Sequence, residues 1–499
     1  MSSSLSQSVA RGTTWLGSSE MFGQGLRLIT TVVLARLLLP EDFGILAMAA
    51  VITEVVMRIA DLGFADAIIQ RKDTTSSHLS TCFWTMLGLG IILCGVTVAI
   101  SPIMAGFFDN ELVGPVLAVS SIAFVIAPLR IIHGSLMRKQ LNFLRFSIGE
   151  VVQAVAYLAA AISMAILGFG VWSLVIGNLT GQVALLISRW TLYRWHPSLT
   201  FSIESLKDLW KFGASVTGTR AVQLLIQRLD YLILGRFLSA ATLGIYHMAH
   251  RIVISSNTGL LMTVNRVAFP AFSLIQSETE RLRRGFIRSI AYLSLILLPI
   301  FAGLAIVGPE LVRVVLGEQW LEAITPMQIL CLSGFFLAVN ITVGPILRAK
   351  GRPGVELVIA IVTACLRIPA LLISVQYGIV SVAIAVTSVS VLIFPIRLYF
   401  IKRVIGVTMI DYLITLRPAF IGTAIMTIIL LPFRYTLTSI LAIPDIVLLI
   451  SSILLGILVY FSVLKIAKVQ SLSEMSGLVF DVVRPFARSA KSRIFICRK

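Results

Sequence analysis

Long apolar runs fill nearly the whole chain and are separated by short polar breaks. The breaks carry turn chemistry or charge: LLPED near 40, FFDNE near 109, GFG at 168–170, GEQW at 317–320, RAKGRPG at 348–354 and QYG at 376–378. Within the runs apolar residues are continuous rather than alternating, the pattern of membrane helices and not of an outer-membrane barrel. About fourteen transmembrane helices are expected, at roughly 12–38, 43–70, 79–107, 113–137, 146–167, 171–193, 209–238, 242–274, 287–308, 325–348, 355–376, 379–401, 412–433 and 445–466.

Composition agrees with that pattern. Of 499 residues 58% are hydrophobic and 13% charged, and the mean hydropathy is +0.97; a soluble globular chain carries about 25% charged residues. A soluble enzyme, a secreted disulfide scaffold and a disordered chain are excluded. The N-terminal MSSSLSQSVARGTTW lacks a basic region leading into a short apolar core, so no cleavable signal peptide is expected. Cys82, Cys94, Cys331, Cys365 and Cys497 show no metal or CxxC spacing and read as small hydrophobes.

The net charge of +18 would suggest nucleic acid as a partner of a soluble protein. Here its location matters more, and no nucleic-acid partner is expected. Of the 41 Lys and Arg, 27 fall in the N-terminus, every second loop and the tail. The opposite loops hold only Arg313 and Arg434, among acids such as Glu41, Asp42, Asp109, Glu310 and Asp445. The positive-inside rule then puts both termini in the cytoplasm.

An internal repeat divides the chain. ARLLLPEDFGILAMAA at 35–50 overlays GRFLSAATLGIYHMAH at 235–250, with Arg36/Arg236, Gly44/Gly244, Ile45/Ile245 and Met48/Met248 identical. The expected architecture is all-α, with two pseudo-symmetric six-helix lobes at 1–195 and 207–405. Both start on one face, as parallel repeats do. A cytoplasmic amphipathic linker is expected at 196–206, two further helices within 406–470, and a basic cytoplasmic tail at 471–499.

Twelve basic residues remain inside the spans, and all are arginine: Arg27, Arg36, Arg58, Arg130, Arg220, Arg228, Arg236, Arg251, Arg266, Arg367, Arg397 and Arg417. The intramembrane acids are Glu20, Glu54, Asp61, Asp66, Glu150 and Asp230, with Glu356 at a helix end. A charge at mid-depth costs about 2.5–3.5 kcal/mol on the insertion scale. Snorkelling accounts for Arg36, Arg236, Arg397 and Arg417 near helix ends. The deeper Arg27, Arg58, Arg130, Arg220, Arg228, Arg251 and Arg266 are the candidate substrate-binding residues. They suit a wet, net-positive cavity, because guanidinium matches phosphate oxygens bidentately and does not deprotonate. Asp61, three residues after Arg58, and Asp230, close to Arg228, are candidates for charge pairing or ion coupling. His247 and His250 offer a metal pair or ordinary packing; no HExxH is present, and neither a metal nor a cofactor is expected.

Several motifs together resemble a known family: ARLLLPEDFGILAMAA, DLGFADAIIQRKD (61–73), GFGVWSLV (168–175), RWHPSL (194–199), RVAFPAFSLIQSETERLRRGF (266–286) and VLGEQWLEAITPMQILCLSG (315–334). They are similar to the Wzx-type polysaccharide and O-antigen flippases of the multidrug/oligosaccharidyl-lipid/polysaccharide exporter superfamily, especially the colanic-acid and succinoglycan exporters. The resemblance implies a bacterial inner-membrane transporter with no enzymatic activity. Its substrate would be an undecaprenyl-pyrophosphate-linked glycan, and its partners membrane lipid, a polysaccharide polymerase and co-polymerase or export proteins. It also implies that Arg27, Arg58 and Arg266 lie on helices where arginines matter in related lipid-II-type flippases. Two rivals stand beside it. A multidrug cation antiporter of the same superfamily would need unpaired carboxylates. A polymerase or glycosyltransferase would need a large extramembrane loop, which the spacing does not provide.

Overall fold

The computed structural model describes the backbone of residues 19, 22–71, 74–440, 443–469 and 474. Within these it describes every side chain except those of 66, 70, 208–223, 257–271, 338, 339 and 353. Among the described residues the secondary structure is helical throughout, without strands. Eleven helices are long and apolar enough to cross a membrane. Helices also occupy 22–37, Ile203–Phe237 and Ala240–Leu274, at three further expected spans. Many of the residues that stay exposed on the long helices are apolar, for example Ile92, Ile103, Ile428 and Leu454, as a lipid-solvated surface requires. The chain is a multi-pass membrane protein.

The chain divides into two compact units, Met1–His247 and Met248–Lys499. The first holds α1 (22–37), α2 (Pro40–Asp61), α3 (Phe64–Gln70), α4 (Ser76–Phe108), α5 (Val113–Ser120), α6 (Ala123–Lys139), α7 (Phe143–Ile166), α8 (Val171–Leu192), α9 (Ile203–Phe237) and the start of α10 (Ala240–Leu274). The second continues with α11 (Thr279–Leu311), α12 (Ile324–Val339), α13 (Val343–Ala349), α14 (Pro353–Ser374), α15 (Ile379–Ile405), α16 (Met409–Ser439) and α17 (Asp445–Ile466).

Local chemistry sets the ends of these helices. At the start of α2, Pro40 occupies the first turn and the Asp42 carboxylate accepts the Leu39 N–H at 3.0 Å. The same carboxylate lies against Gly170 and the start of α8. Gly170 must be glycine there: its φ is +53° and a Cβ would lie 2.9 Å from Asp42 Oδ1. The span expected at 43–70 is one apolar run, but Leu62 and Gly63 both adopt left-handed backbone and split it into α2 and α3. In the second unit Asp411 closes a capping box with Thr408 and also receives Arg283 Nη2 at 2.9 Å, tying α16 to α11.

Small residues bring the helices close. A Cβ on Gly177 would sit 2.7 Å from that of Ala161, which pairs α8 with α7. Where α2 and α10 begin, the repeat-matched glycines meet reciprocally. A Cβ on Gly44 would overlap the Ala240 carbonyl oxygen, and one on Gly244 would overlap the Pro40 carbonyl oxygen. Backbone rests directly on backbone at this crossing.

Each unit has a basic end and an acidic end. In the first, Lys139 Nζ donates to the Arg71 carbonyl at 2.7 Å and to Thr74 Oγ1 at 2.8 Å, gathering basic loops far apart in sequence. The junction of Asp42 with Val171 belongs to the opposite end. In the second, Lys350 bonds Thr279 at 3.1 Å. Its two arginines from the sparsely basic loops find acids there: Arg434 pairs with buried Glu310, and Arg313 lies 3.8 Å from Asp445. The connector after α8 is non-helical over 194–202 and becomes helical at Ile203. His133 Nε2 bonds the Trp195 carbonyl at 3.0 Å, and Trp84 Nε1 donates to the Ser198 carbonyl at 2.9 Å. Those bonds hold the connector against the bundle.

Gly44→Ala and Gly244→Ala should each destabilise the protein by at least about 1–3 kcal/mol, the cost of overpacking. The check is a fall in melting temperature in detergent. Gly303→Ala, whose Cβ meets nothing within 4 Å, should leave it nearly unchanged.

Candidate anion pathway

The candidate arginines fall into two kinds. Arg58 is exposed on the last turn of α2, and Arg27 is exposed on α1 with its guanidinium folded back over Gly23. Among the described residues neither has a carboxylate within ion-pair distance. The others are partnered. Arg228 on α9 grips Glu54 on α2 with both arms, Nε to Oε2 at 2.9 Å and Nη2 to Oε1 at 3.0 Å. Its guanidinium also sits 5.3 Å from the Tyr231 ring centroid. Arg130 Nη2 on α6 donates to Gln182 Oε1 at 2.9 Å, and Gln182 Nε2 donates to Asn178 Oδ1 at 3.2 Å. Glu150 and Asp61 lie within electrostatic reach of Arg130.

Arg251 is half-buried on the second-unit part of α10 and has a partner. Arg220 and Arg266 lie on α9 and α10, with side chains outside the described residues.

Two expected pairings take a different form. Arg58 does not hold Asp61, whose half-buried carboxylate contributes to the field at Arg130. Arg228 is gripped by Glu54, not by Asp230. Residues two apart point to different sides of a helix, which is the physical reason. Asp230 is fully buried; it accepts the Tyr231 N–H at 3.2 Å and faces the Tyr246 hydroxyl at 3.4 Å. His247 packs on the Tyr231 ring at 5.6 Å, and no metal-ligating cluster occurs among the described residues.

The first unit also holds a charge that counting loop residues obscures. Arg189, in the last turn of α8, is only 5% exposed. Its Nη2 donates to Glu150 Oε1 at 2.7 Å, its Nη1 to the Arg130 carbonyl at 3.4 Å, and its guanidinium lies 4.7 Å from the Phe146 ring centroid. Gly134 makes the room: a Cβ there would overlap Arg189 Nη1. Arg130, Gln182, Glu150 and Arg189 thus form one network across α6, α7 and α8. A signal was present in the spacing, since Gln182 and Arg189 are seven residues apart and share a helix face. The partnered network ties α6, α7 and α8 together, while Arg27 and Arg58 are exposed without a carboxylate partner among the described residues.

The second unit contains an apolar groove of about 410 Å³ between α11, α16 and α17. Pro299, Gly303, Met426, Leu430, Gly456 and Tyr460 are among the residues that line it.

A family model described as "Polysaccharide biosynthesis protein" matches residues 33–325. The chain is 30% identical over 426 residues to the "Lipopolysaccharide biosynthesis protein WzxC" of Escherichia coli (strain K12), covering 83% of this chain and 85% of that protein. It is likewise 30% identical over 434 residues to the "Teichuronic acid biosynthesis protein TuaB" of Bacillus subtilis (strain 168), covering 85% and 89%. Among solved structures, "Lipid II flippase MurJ, inward closed conformation" superposes with a TM-score of 0.74 at 15% identity, over 90% of this chain and 98% of that one. An inward-facing multidrug resistance MATE family transporter of the MOP superfamily gives a TM-score of 0.61 at 16% identity, over 76% and 95%. At these identities the solved structures establish the fold.

Glu150→Ala should lower stability by about 2–3 kcal/mol, below the full cost of breaking a buried pair because the carboxylate is partly hydrated. Arg189→Met, which leaves no buried cation behind, should cost less. Chemical or thermal unfolding of the two variants in detergent checks the order.

Proposed function

This chain belongs to the polysaccharide biosynthesis protein family, and on that premise we propose that it is a flippase for undecaprenyl-pyrophosphate-linked oligosaccharide repeat units. The observation that carries this reading is the imbalance of free charge within the spans. Arg27 and Arg58 are exposed without an acid partner among the described residues, while Glu54 and Glu150 are held by Arg228 and Arg189. A cationic drug would need the reverse. Phosphate oxygens match what the free guanidinium groups offer.

The mechanism we favour is alternating access between the two six-helix repeats at 1–195 and 207–405. Both termini and the basic ends face the cytoplasm, where lipid-linked precursors are made. Pyrophosphate is drawn to Arg27 and Arg58, with Arg220, Arg251 and Arg266 as further contacts and Arg130 and Arg228 able to exchange partners. The sugar travels through the hydrated interior and is released on the far side of the inner membrane, for polymerase and export proteins to use. The polyprenyl chain stays in apolar surroundings, and the groove between α11, α16 and α17 supplies them, giving the two helices beyond the twelfth a role. No bond is made or broken, so no catalytic group is required. MurJ, which shares the fold, is a lipid II flippase, and a lipid-linked substrate here is in keeping with that.

Deleting the gene in its source organism should cause lipid-linked repeat units to accumulate and abolish the surface polysaccharide. Arg58→Ala should restore less than a tenth of wild-type export at equal protein level, whereas Arg58→Lys should restore part of it. Full export by Arg58→Ala removes this residue from the pathway. In the same strain, Gly303→Phe should fill the groove and reduce export several-fold, because the added side chain meets no protein atom at its base. Lipid extraction with quantification of the accumulated precursor measures both.

A further inference from the structure

A second cavity, of about 440 Å³, lies at the acidic end of the first unit, beside the crossing of Gly44 and Gly244. Its volume falls within the roughly 300–1,000 Å³ of small-molecule sites. Three segments build it: the first turn of α2 with Glu41, the end of α4 with Phe108, Asp109 and Asn110, and the junction of α9 and α10, with Arg236 in the last turn of α9 and Ser239 just after it. The guanidinium of Arg236 lies 5.9 Å from the Phe107 ring centroid. Asp109 is held in left-handed backbone, φ +52°, where it caps α4.

Glu41, Asp109 and Arg236 line this one cavity, and their charges define what fits. Two carboxylates repel a phosphate or pyrophosphate. Arg236 disfavours a bare metal cation. The polar lining does not suit a hydrocarbon chain. A neutral polyhydroxylated ligand suits all three, because each hydroxyl donates to carboxylate and accepts from guanidinium. We propose that this cavity is a subsite for a neutral sugar of the translocated glycan, on the side where the glycan emerges. The subsite rests on the lipid-linked reading above and adds to it a recognition point for the sugar, distinct from the arginines that meet the pyrophosphate.

The test uses the full chain purified in detergent and native mass spectrometry with two probes. One is the oligosaccharide released by mild acid from the lipid-linked units of the deletion strain; the other is undecaprenyl pyrophosphate. The wild-type protein should bind both. Glu41→Gln/Asp109→Asn should weaken oligosaccharide binding about tenfold or more, since charge-assisted hydrogen bonds are lost, and leave undecaprenyl pyrophosphate binding unchanged. Asparagine tolerates the left-handed backbone at position 109. Arg236→Ala should also weaken the oligosaccharide selectively. Equal oligosaccharide affinity in wild type and variants overturns the subsite, while retained carrier binding upholds the transport reading. Calcium binding that disappears in the double variant without a change in sugar affinity overturns it in favour of a cation site. A wild-type protein that binds neither probe overturns both readings.

Discussion

A charged side chain in a low-dielectric slab must find a counter-charge, a hydrogen-bonding enclosure or water. The first unit supplies the first two. Arg189 has a counter-charge and an enclosure, with Glu150 on one side, the Phe146 ring beneath, and a glycine at 134 because any side chain would occupy its place. Arg228 has a bidentate acid on another helix, Glu54. Arg27 and Arg58 have neither among the described residues and are exposed. A buried pair such as Arg189 with Glu150 adds little net stability relative to apolar packing, but it helps hold α6, α7 and α8 in register. The proposed anion pathway rests on these exposed arginines.

Close backbone approach is the second determinant. Glycines remove the side chain where helices must touch: Gly177 against Ala161, and Gly44 and Gly244 in the reciprocal crossing of α2 with α10. In that crossing Gly44 meets Ala240 and Gly244 meets Pro40, so each contact is the repeat-shifted image of the other. An internal two-fold relation between the repeated segments produces this reciprocity. Contacts of this kind contain no ion pair and no side-chain hydrogen bond.

Much of the fold was legible in the apolar runs, because a membrane helix must be apolar along most of its length. The breaks within runs were less legible. Leu62 and Gly63 end α2 through left-handed backbone inside a stretch whose hydrophobicity continues into Phe64 and Ala65. The identity of Gly44 with Gly244 was visible, but its meaning lay in a contact between residues about 200 positions apart. Ion pairing was the least legible feature. Spacing rules see neighbours three or four residues away, as with Arg58 and Asp61. The pair actually formed by Arg228 is with Glu54, 174 residues distant. Arg189 was hidden by its place near a helix end, where an arginine ordinarily reaches water. Its match with Gln182, one heptad earlier, was the available hint.

The most direct measurement is transbilayer movement by the purified protein in sealed vesicles, with fluorescently labelled undecaprenyl-pyrophosphate-linked oligosaccharide in one set and a cationic dye in the other. Movement of the anionic lipid that inorganic pyrophosphate competes away, with none of the dye, is the expected result. Transport of the dye, with the lipid-linked glycan remaining in its original leaflet, would contradict an anion pathway built on free guanidinium groups.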